Sequence, residues 1–285
     1  NWERPIYFTG GSYEDSEYIW MKNYLQLDGL VYKLVPIKTS IDANPYEMGR
    51  IDSDLMYNIV KKWSWGNSES DKIYHDPETR KNSISFRSNL SRLSEVLISE
   101  GKFKEAEEII DLAFSKMPID YYGYYSLWTP FIQGYYRIGR DDKAKEIFKK
   151  ISFKYIDKLN YYSSLEIYNQ YDVGEEIIAD IERFRNLIET AQNSGEKEIL
   201  SDQIKSFIAS SEKFNYIYGE YDYYISLSGF IIKLLELNEI EYSRVIIDKI
   251  EEQLIRRVSV FSNIDQDEQV YYIEGISSDI NEYSR

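Results

Sequence analysis

The spacing of apolar residues changes character near residue 52. Before it, Pro5-Ile6-Tyr7-Phe8-Thr9 is a short β-type run closed by Gly10-Gly11. Leu30 to Ile37 is a second such run, rich in β-branched and aromatic residues and entered through Asp28-Gly29. Ser16 to Leu25, between them, reads as a helical or irregular crossover. The two runs predict two short paired strands, a sheet too small to stand alone, so it must pack on the remainder of the chain. After Asp52 the period becomes helical. Leu55, Met56, Ile59, Val60 and Trp63 form one apolar stripe behind an Asp52/Ser53 cap. A polar loop, Gly66 to Lys72, follows, and Asp76-Pro77 then pairs a capping side chain with proline at the first helical position.

From Arg87 the pattern repeats. Tetratricopeptide units recur at a period of about 34 residues, each an antiparallel helix pair with large and small residues at fixed places. Here the large places fall on Leu90, Leu93, Leu97 and Ile110, and the small ones on Ser94, Ala106 and Ala113. Gly101 stands at the turn and Pro118 at the end. A second unit places Trp128, Phe131, Tyr135 and Phe148 at large positions, Gly139 at the turn and Ala144 at the close contact, 38 residues after Ala106. Small residues belong where two helices approach closely. A third, degenerate unit is read from Tyr224, with Leu227, Phe230, Ile231 and Leu234, then Asn238 in place of the turn glycine, then Ser243, Ile247 and Ile250. Leu159 to Tyr218 reads as long helices broken near Asn193-Ser194-Gly195. The expected fold is mostly α: a tetratricopeptide-like helical-hairpin solenoid with a small α+β N-terminal cap of two short strands. The cap spans 1–75 and the helical domain 76–262, with repeats near 87–120 and 125–158, a degenerate one at 224–257 and a long hairpin at 159–218. An acidic tail covers 263–285.

Composition narrows the partners. The formal net charge is −15, which disfavours nucleic acid and anionic lipid, both of which are held by Lys and Arg. There is no cysteine, so disulfides, thiolate nucleophiles and Cys-ligated zinc are excluded. The longest apolar run, Phe230 to Leu237, is interrupted by Lys233 and Glu236 and is no membrane span. A chain opening Asn1-Trp2-Glu3-Arg4-Pro5 reads as a piece of something longer.

Candidate chemistry is sparse. His75, the single histidine, stands in Tyr74-His75-Asp76-Pro77 and reads as a loop residue beside a helix cap, since neither a second His nor a Cys accompanies it. Glu105, Glu107 and Glu108, and likewise Glu175, Glu176, Asp180 and Glu182, are interleaved with isoleucines and read as solvated helix faces. No phosphate-cradling loop, nucleophile elbow or EF-hand loop is present, so no catalytic residue, metal ligand or cofactor is assigned. The aromatic string Tyr121 to Trp128 has two readings: a stacking surface for a peptide or sugar, or packing between repeats. Tyr121, Tyr124, Tyr125, Trp128 and Tyr135 are the candidate binding residues, with Tyr121 and Tyr124 the freer ones.

The strings Asn1 to Phe8 and Tyr24 to Pro36, continued by Trp65-Gly66-Asn67, Tyr74 to Arg87 and Leu93 to Pro118, resemble a large bacterial family of multi-pass membrane proteins. That family, long described only as a domain of unknown function, is similar to protein O-mannosyltransferases that use lipid-linked sugars. The resemblance implies that this chain is the soluble C-terminal part, on the extracytoplasmic (periplasmic) side of the inner membrane. It also implies that the catalytic carboxylates lie in a preceding membrane half. The expected function is a non-catalytic protein-binding or scaffolding module that positions an acceptor polypeptide or partner. The alternative is a carbohydrate-binding or accessory catalytic role using the N-terminal sheet, Trp65 and the Tyr74–Asp76 loop.

Overall fold

The computed structural model describes residues 4–9, 19–39, 48–195 and 197–214, and then 231–232, 234–235, 238–248 and 251. The chain divides into two compact units, Asn1–Ile147 and Phe148–Arg285. Most described residues are helical.

The first unit begins with three strands: β1 (Tyr7–Thr9), β2 (Leu25–Asp28) and β3 (Val31–Leu34). They form one antiparallel sheet in the order β1-β3-β2, with Phe8 opposite Tyr32 and Leu27 opposite Tyr32 on the other side. The expected pairing of the first and last runs is present, but the sheet has three strands instead of two. The missed strand, β2, alternates as Leu25-Gln26-Leu27-Asp28, yet both of its faces are buried. Its polar members are satisfied inside: Gln26 donates to Asp28 at 2.8 Å and accepts from Arg50 at 2.9 Å. Four residues is the shortest alternation that argues a strand, and Leu25 falls in the run read as a crossover. The residues ahead of it, Ile19–Tyr24, form a 3-10 turn.

Among the described residues, five helices lying wholly in this unit follow: α1 (Ser53–Val60), α2 (Pro77–Ser99), α3 (Phe103–Lys116), the short α4 (Ile119–Tyr122) and α5 (Thr129–Arg137). Asp52 caps α1 by accepting from the Leu55 N–H, and Asp76 caps α2 by accepting from that of Thr79. The sheet is fastened to α2 through side-chain donors on the helix. Asn89 donates to the Gly29 carbonyl at 2.9 Å, and Arg92 to those of Met48 and Gly49 at 2.8 and 2.9 Å. Leu25 and Leu27, with Met56 and Val60 of α1, are fully buried beside this seam.

The helix pairs carry the repeated pattern. Leu90, Leu93, Leu97, Ile110, Ala106 and Ala113 are all fully buried. α6 (Asp141–Ser164) follows α5 and crosses from the first unit into the second. The turns after α2 and after α5 superimpose in their hydrogen bonds. Gly101 N–H donates to Ile98 at 3.0 Å and Lys102 N–H to Leu97 at 2.8 Å; Gly139 N–H donates to Tyr136 at 3.0 Å and Arg140 N–H to Tyr135 at 2.8 Å. Both glycines take left-handed backbone, φ 74° and 72°, as a helix C-terminal cap requires. The same motif stands in the second unit at Asn238, φ 61°: its N–H donates to Leu235 at 3.0 Å, and that of Glu239 to Leu234 at 2.9 Å. Residues 240–248 are helical after it, and Ser243 is buried at the place held by Ala106 and Ala144. One register is corrected here. Ile246 faces the core, whereas Ile247, expected as the large residue, is exposed. Leu227, Phe230, Ile250 and the tail 263–285 lie outside the described residues.

The second unit also holds α7 (Ile167–Asp172), α8 (Gly174–Asn193) and α9 (Lys197–Ser211). α8 stops at Asn193, ahead of left-handed Gly195, and α9 returns along it. Phe184, Ile188, Ile204 and Phe207 are fully buried between those two helices. The buried Asp180 of α8 is paired with Lys158 of α6 and with Arg183, at 2.9 Å for the latter. Burial pulls Lys158 down, but the Asp180 carboxylate outweighs that and holds the ammonium above its ordinary range. Among the described residues no helix is long and apolar enough to cross a membrane.

Candidate functional site

The aromatic string Tyr121 to Trp128 folds as the end of α4, a left-handed residue at Tyr124 (φ 46°) and a 3-10 turn, Tyr125–Trp128, leading into α5. What holds it is Arg87 of α2. This guanidinium is fully buried yet makes no ion pair among the described residues. It donates to the carbonyl of Gly123 at 2.7 Å and to Ser83 Oγ at 2.8 Å, and it stands over the rings of Trp128 and Tyr124 at 5.1 and 5.8 Å. Carbonyl lone pairs and ring faces thus satisfy a charge that is usually met by a carboxylate. Burial pulls Arg87 down to about 10, partly offset by Tyr124 and Tyr122.

The five candidate binding residues separate into two groups. Trp128 is fully buried and stacks on Phe114 at 4.4 Å with 20° between the planes. Tyr135 is buried and donates to Asp111 at 2.6 Å; burial first, then that bond, pushes its phenol far above the ordinary range. These two serve packing, and neither offers a face to a ligand. Tyr121 and Tyr125 are half-buried, and Tyr124 is exposed. Tyr121 stacks on the His75 ring at 5.4 Å, nearly parallel at 9°. His75 also meets Ser70 through Nε2 and the Ser70 carbonyl, 3.1 Å apart. The histidine therefore ties the 66–76 loop to the aromatic string. Asp76 is committed as well, one oxygen to the Thr79 N–H and the other to its hydroxyl, and those two bonds, the hydroxyl's first, hold its pKa below the ordinary range.

A more open aromatic group lies where α1, α2 and α3 meet the 61–76 loop. Trp63, Trp65 and Phe86 form a triangle with ring centroids 5.4 to 5.8 Å apart. Trp65 is the shared wall of two depressions. One, of about 450 Å³, is bounded also by Lys61, Glu69 and Lys116. The other, of about 210 Å³, is bounded by Phe86, Met117 and Tyr122 with Ser68, Asn82 and Ser83. The loop that carries Trp65 is pinned at several points. Ser68 N–H donates to the Trp65 carbonyl at 2.9 Å, Ser68 Oγ to that of Lys116 at 2.7 Å, and Tyr122 O–H to that of Ser68 at 3.0 Å. Lys116 and Glu69 close the loop with an ion pair at 2.6 Å. Sequence reasoning placed Trp65 in the alternative site but missed Phe86, Asn82 and Tyr122. The signal was the pairing of Trp63 and Trp65 just before a glycine, with Phe86 on the α2 face one turn ahead of Leu90.

A third polar group, Glu107, Asp111, Arg140 and Lys143, links α3 to the start of α6 through ion pairs of 2.8 to 2.9 Å. Its charges are mutually satisfied, so it reads as a brace. Among the described residues no group of three or more acidic or histidine side chains is arranged to hold a metal ion.

Comparison with known proteins adds one finding. Residues 1–55 match the family model of TMEM260-associated domain 2. Both N-terminal strings that carried the resemblance fall inside this match, which fits a family related to O-mannosyltransferases. No curated protein and no solved structure matches the chain. The match covers the sheet and the start of α1, and ends ahead of the Trp63–Trp65 loop.

Proposed function

We propose that this chain is a non-catalytic binding module of tetratricopeptide type. It would hold an acceptor polypeptide or partner subunit for a membrane glycosyltransferase of which it is the extracytoplasmic C-terminal part. The observation that carries the reading is the recurrence of one turn motif at Gly101, Gly139 and Asn238, each followed by a buried small residue at Ala106, Ala144 and Ser243. Repeats of that kind cannot bury their apolar faces singly, and stacking them leaves long faces for polypeptides. Tyr121 and Tyr124 stand at the entry to a first helix and remain at least partly exposed. The test uses the full-length gene product carrying Tyr121→Ala and Tyr124→Ala together. The reading requires KM for a protein acceptor to rise while turnover of a short acceptor stays unchanged. Loss of turnover on both acceptors, or no change on either, overturns it.

A second reading, carbohydrate binding within the chain, is favoured by the uncharged aromatic depression at Trp65 and Phe86.

A further inference from the structure

We propose that the smaller depression, between Trp65, Phe86 and Tyr122, binds one neutral hydroxylated six-membered ring, that is, a single pyranose unit. The inference rests on the second, carbohydrate-binding reading and gives it a ligand class at a defined place.

Four observations carry it. The first is charge. In a chain with 29% charged residues, every residue lining this depression is neutral. A charged ligand would leave water without a counter-charge, which is unfavourable. The second is size. At about 210 Å³ the space falls below the roughly 300 Å³ at which drug-sized pockets begin. It has room for one ring.

The third is the direction of hydrogen bonding. Three hydroxyls at the rim have already committed their protons inside the protein: Ser68 to the Lys116 carbonyl, Thr79 to Asp76 and Ser83 to the Arg80 carbonyl. Each hydroxyl carries one proton and two lone pairs. Ser83 has also given one lone pair to Arg87, so what these three present to a ligand is the remaining acceptor capacity, which favours a ligand that donates. A sugar hydroxyl donates. The ring of a proline or phenylalanine would fill the same space but strip those lone pairs of water without replacing it, at a cost for each group. Asn82 adds an amide with both donor and acceptor character at the same rim.

The fourth is preorganisation. The C–H face of a pyranose packs on aromatic rings, and here Trp65 and Phe86 stand 5.8 Å apart with 50° between their planes. Trp65 is held by Trp63 and by the pinned loop, so little freedom is lost on binding.

The test uses the whole chain. Methyl glycosides of neutral hexoses are titrated by calorimetry and by tryptophan fluorescence, with a methyl hexuronide and N-acetylprolinamide in parallel. Saturable binding is expected for at least one neutral glycoside, with the hexuronide and the prolinamide weaker. Trp65→Ala loses about tenfold in affinity, the scale of one aromatic contact. Trp65→Phe retains part of it, and Asn82→Ala weakens binding with the thermal melt unchanged. No saturable binding of any neutral glycoside to the folded wild-type chain overturns the proposal. So does equal binding by Trp65→Ala, or tighter binding of the prolinamide. A glycopeptide and a short-chain lipid-linked form of the preferred sugar assign the source by which one binds more tightly. The acceptor KM of the Tyr121/Tyr124 variant is read separately, so failure here and failure of the repeat-surface reading give different results.

Discussion

Gly139 and Asn238 occupy the same left-handed position in two turns, and their substitutions should move stability in opposite directions. A Cβ at Gly139 would meet nothing within 4 Å, so the cost of Gly139→Ala is the backbone conformation itself, about 1–2 kcal/mol. Asn238→Gly relieves part of that strain and should gain up to about 1 kcal/mol. Urea denaturation of the two variants checks both signs. Tyr57 supplies a pH-dependent case. Its O–H donates to Glu108, and that bond, aided by burial and by the Glu108 and Glu105 charges, raises the phenol to about 12. Between pH 10 and 12 the unfolded chain has released a proton that the folded chain keeps. The stabilisation is therefore complete below about pH 10 and lost as pH rises through about 12. Tyr57→Phe should flatten the stability curve in that window. Glu108 gains from the same bond and from Lys61 in the opposite sense, its share fading as pH falls through its lowered pKa.

Between elements, Arg87 is the joint that fixes the 119–128 segment to α2. Arg87→Met keeps the apolar stem but strands the Gly123 carbonyl and Ser83, and should cost about 1–3 kcal/mol. It should also open a proteolytic site near Tyr121 to Tyr125; an unchanged digestion pattern would count against the joint. The helix pairs were legible in the sequence because their determinants are local. Leu90, Leu93 and Leu97 share one stripe, Ala106 and Ala144 mark close approach, and Asp76-Pro77 marks a helix start. β2 was not legible, since its alternation spans only four residues and Leu25 falls in the run read as a crossover; that Gln26 and Asp28 are buried, satisfied by each other and by Arg50, is visible only in the fold. Ile246 and Ile247 are adjacent, and a one-residue ambiguity along a helix turns the face by about 100°. The site was less legible than the fold. Tyr135 looks like a ligand-facing aromatic until its buried hydroxyl is seen to donate to Asp111, and Phe86 meets Trp65 only once α2 and the loop are in place.

For the whole molecule, charge dominates behaviour in solution. A net charge of −15 at pH 7 and an isoelectric point near 4.7 predict monodisperse scattering at neutral pH, with association rising steeply as pH nears 4.7. Light scattering across pH 4 to 8 measures this, and a flat profile would contradict it. Nothing in that charge balance favours retention on heparin or DNA at any salt concentration. The Trp63–Trp65–Phe86 triangle has one more consequence. Trp128 is dry and walled by Phe114, while Trp65 is only half-buried beside Trp63 at 5.5 Å. Of the five tryptophans, Trp128 is thus a blue-shifted lamp that quencher cannot reach, while Trp65, like the exposed Trp20, is a redder one that it can. In a Trp20→Phe background, dimming of the Trp65 emission without that of Trp128 would give an optical record of what enters the loop, with no label attached.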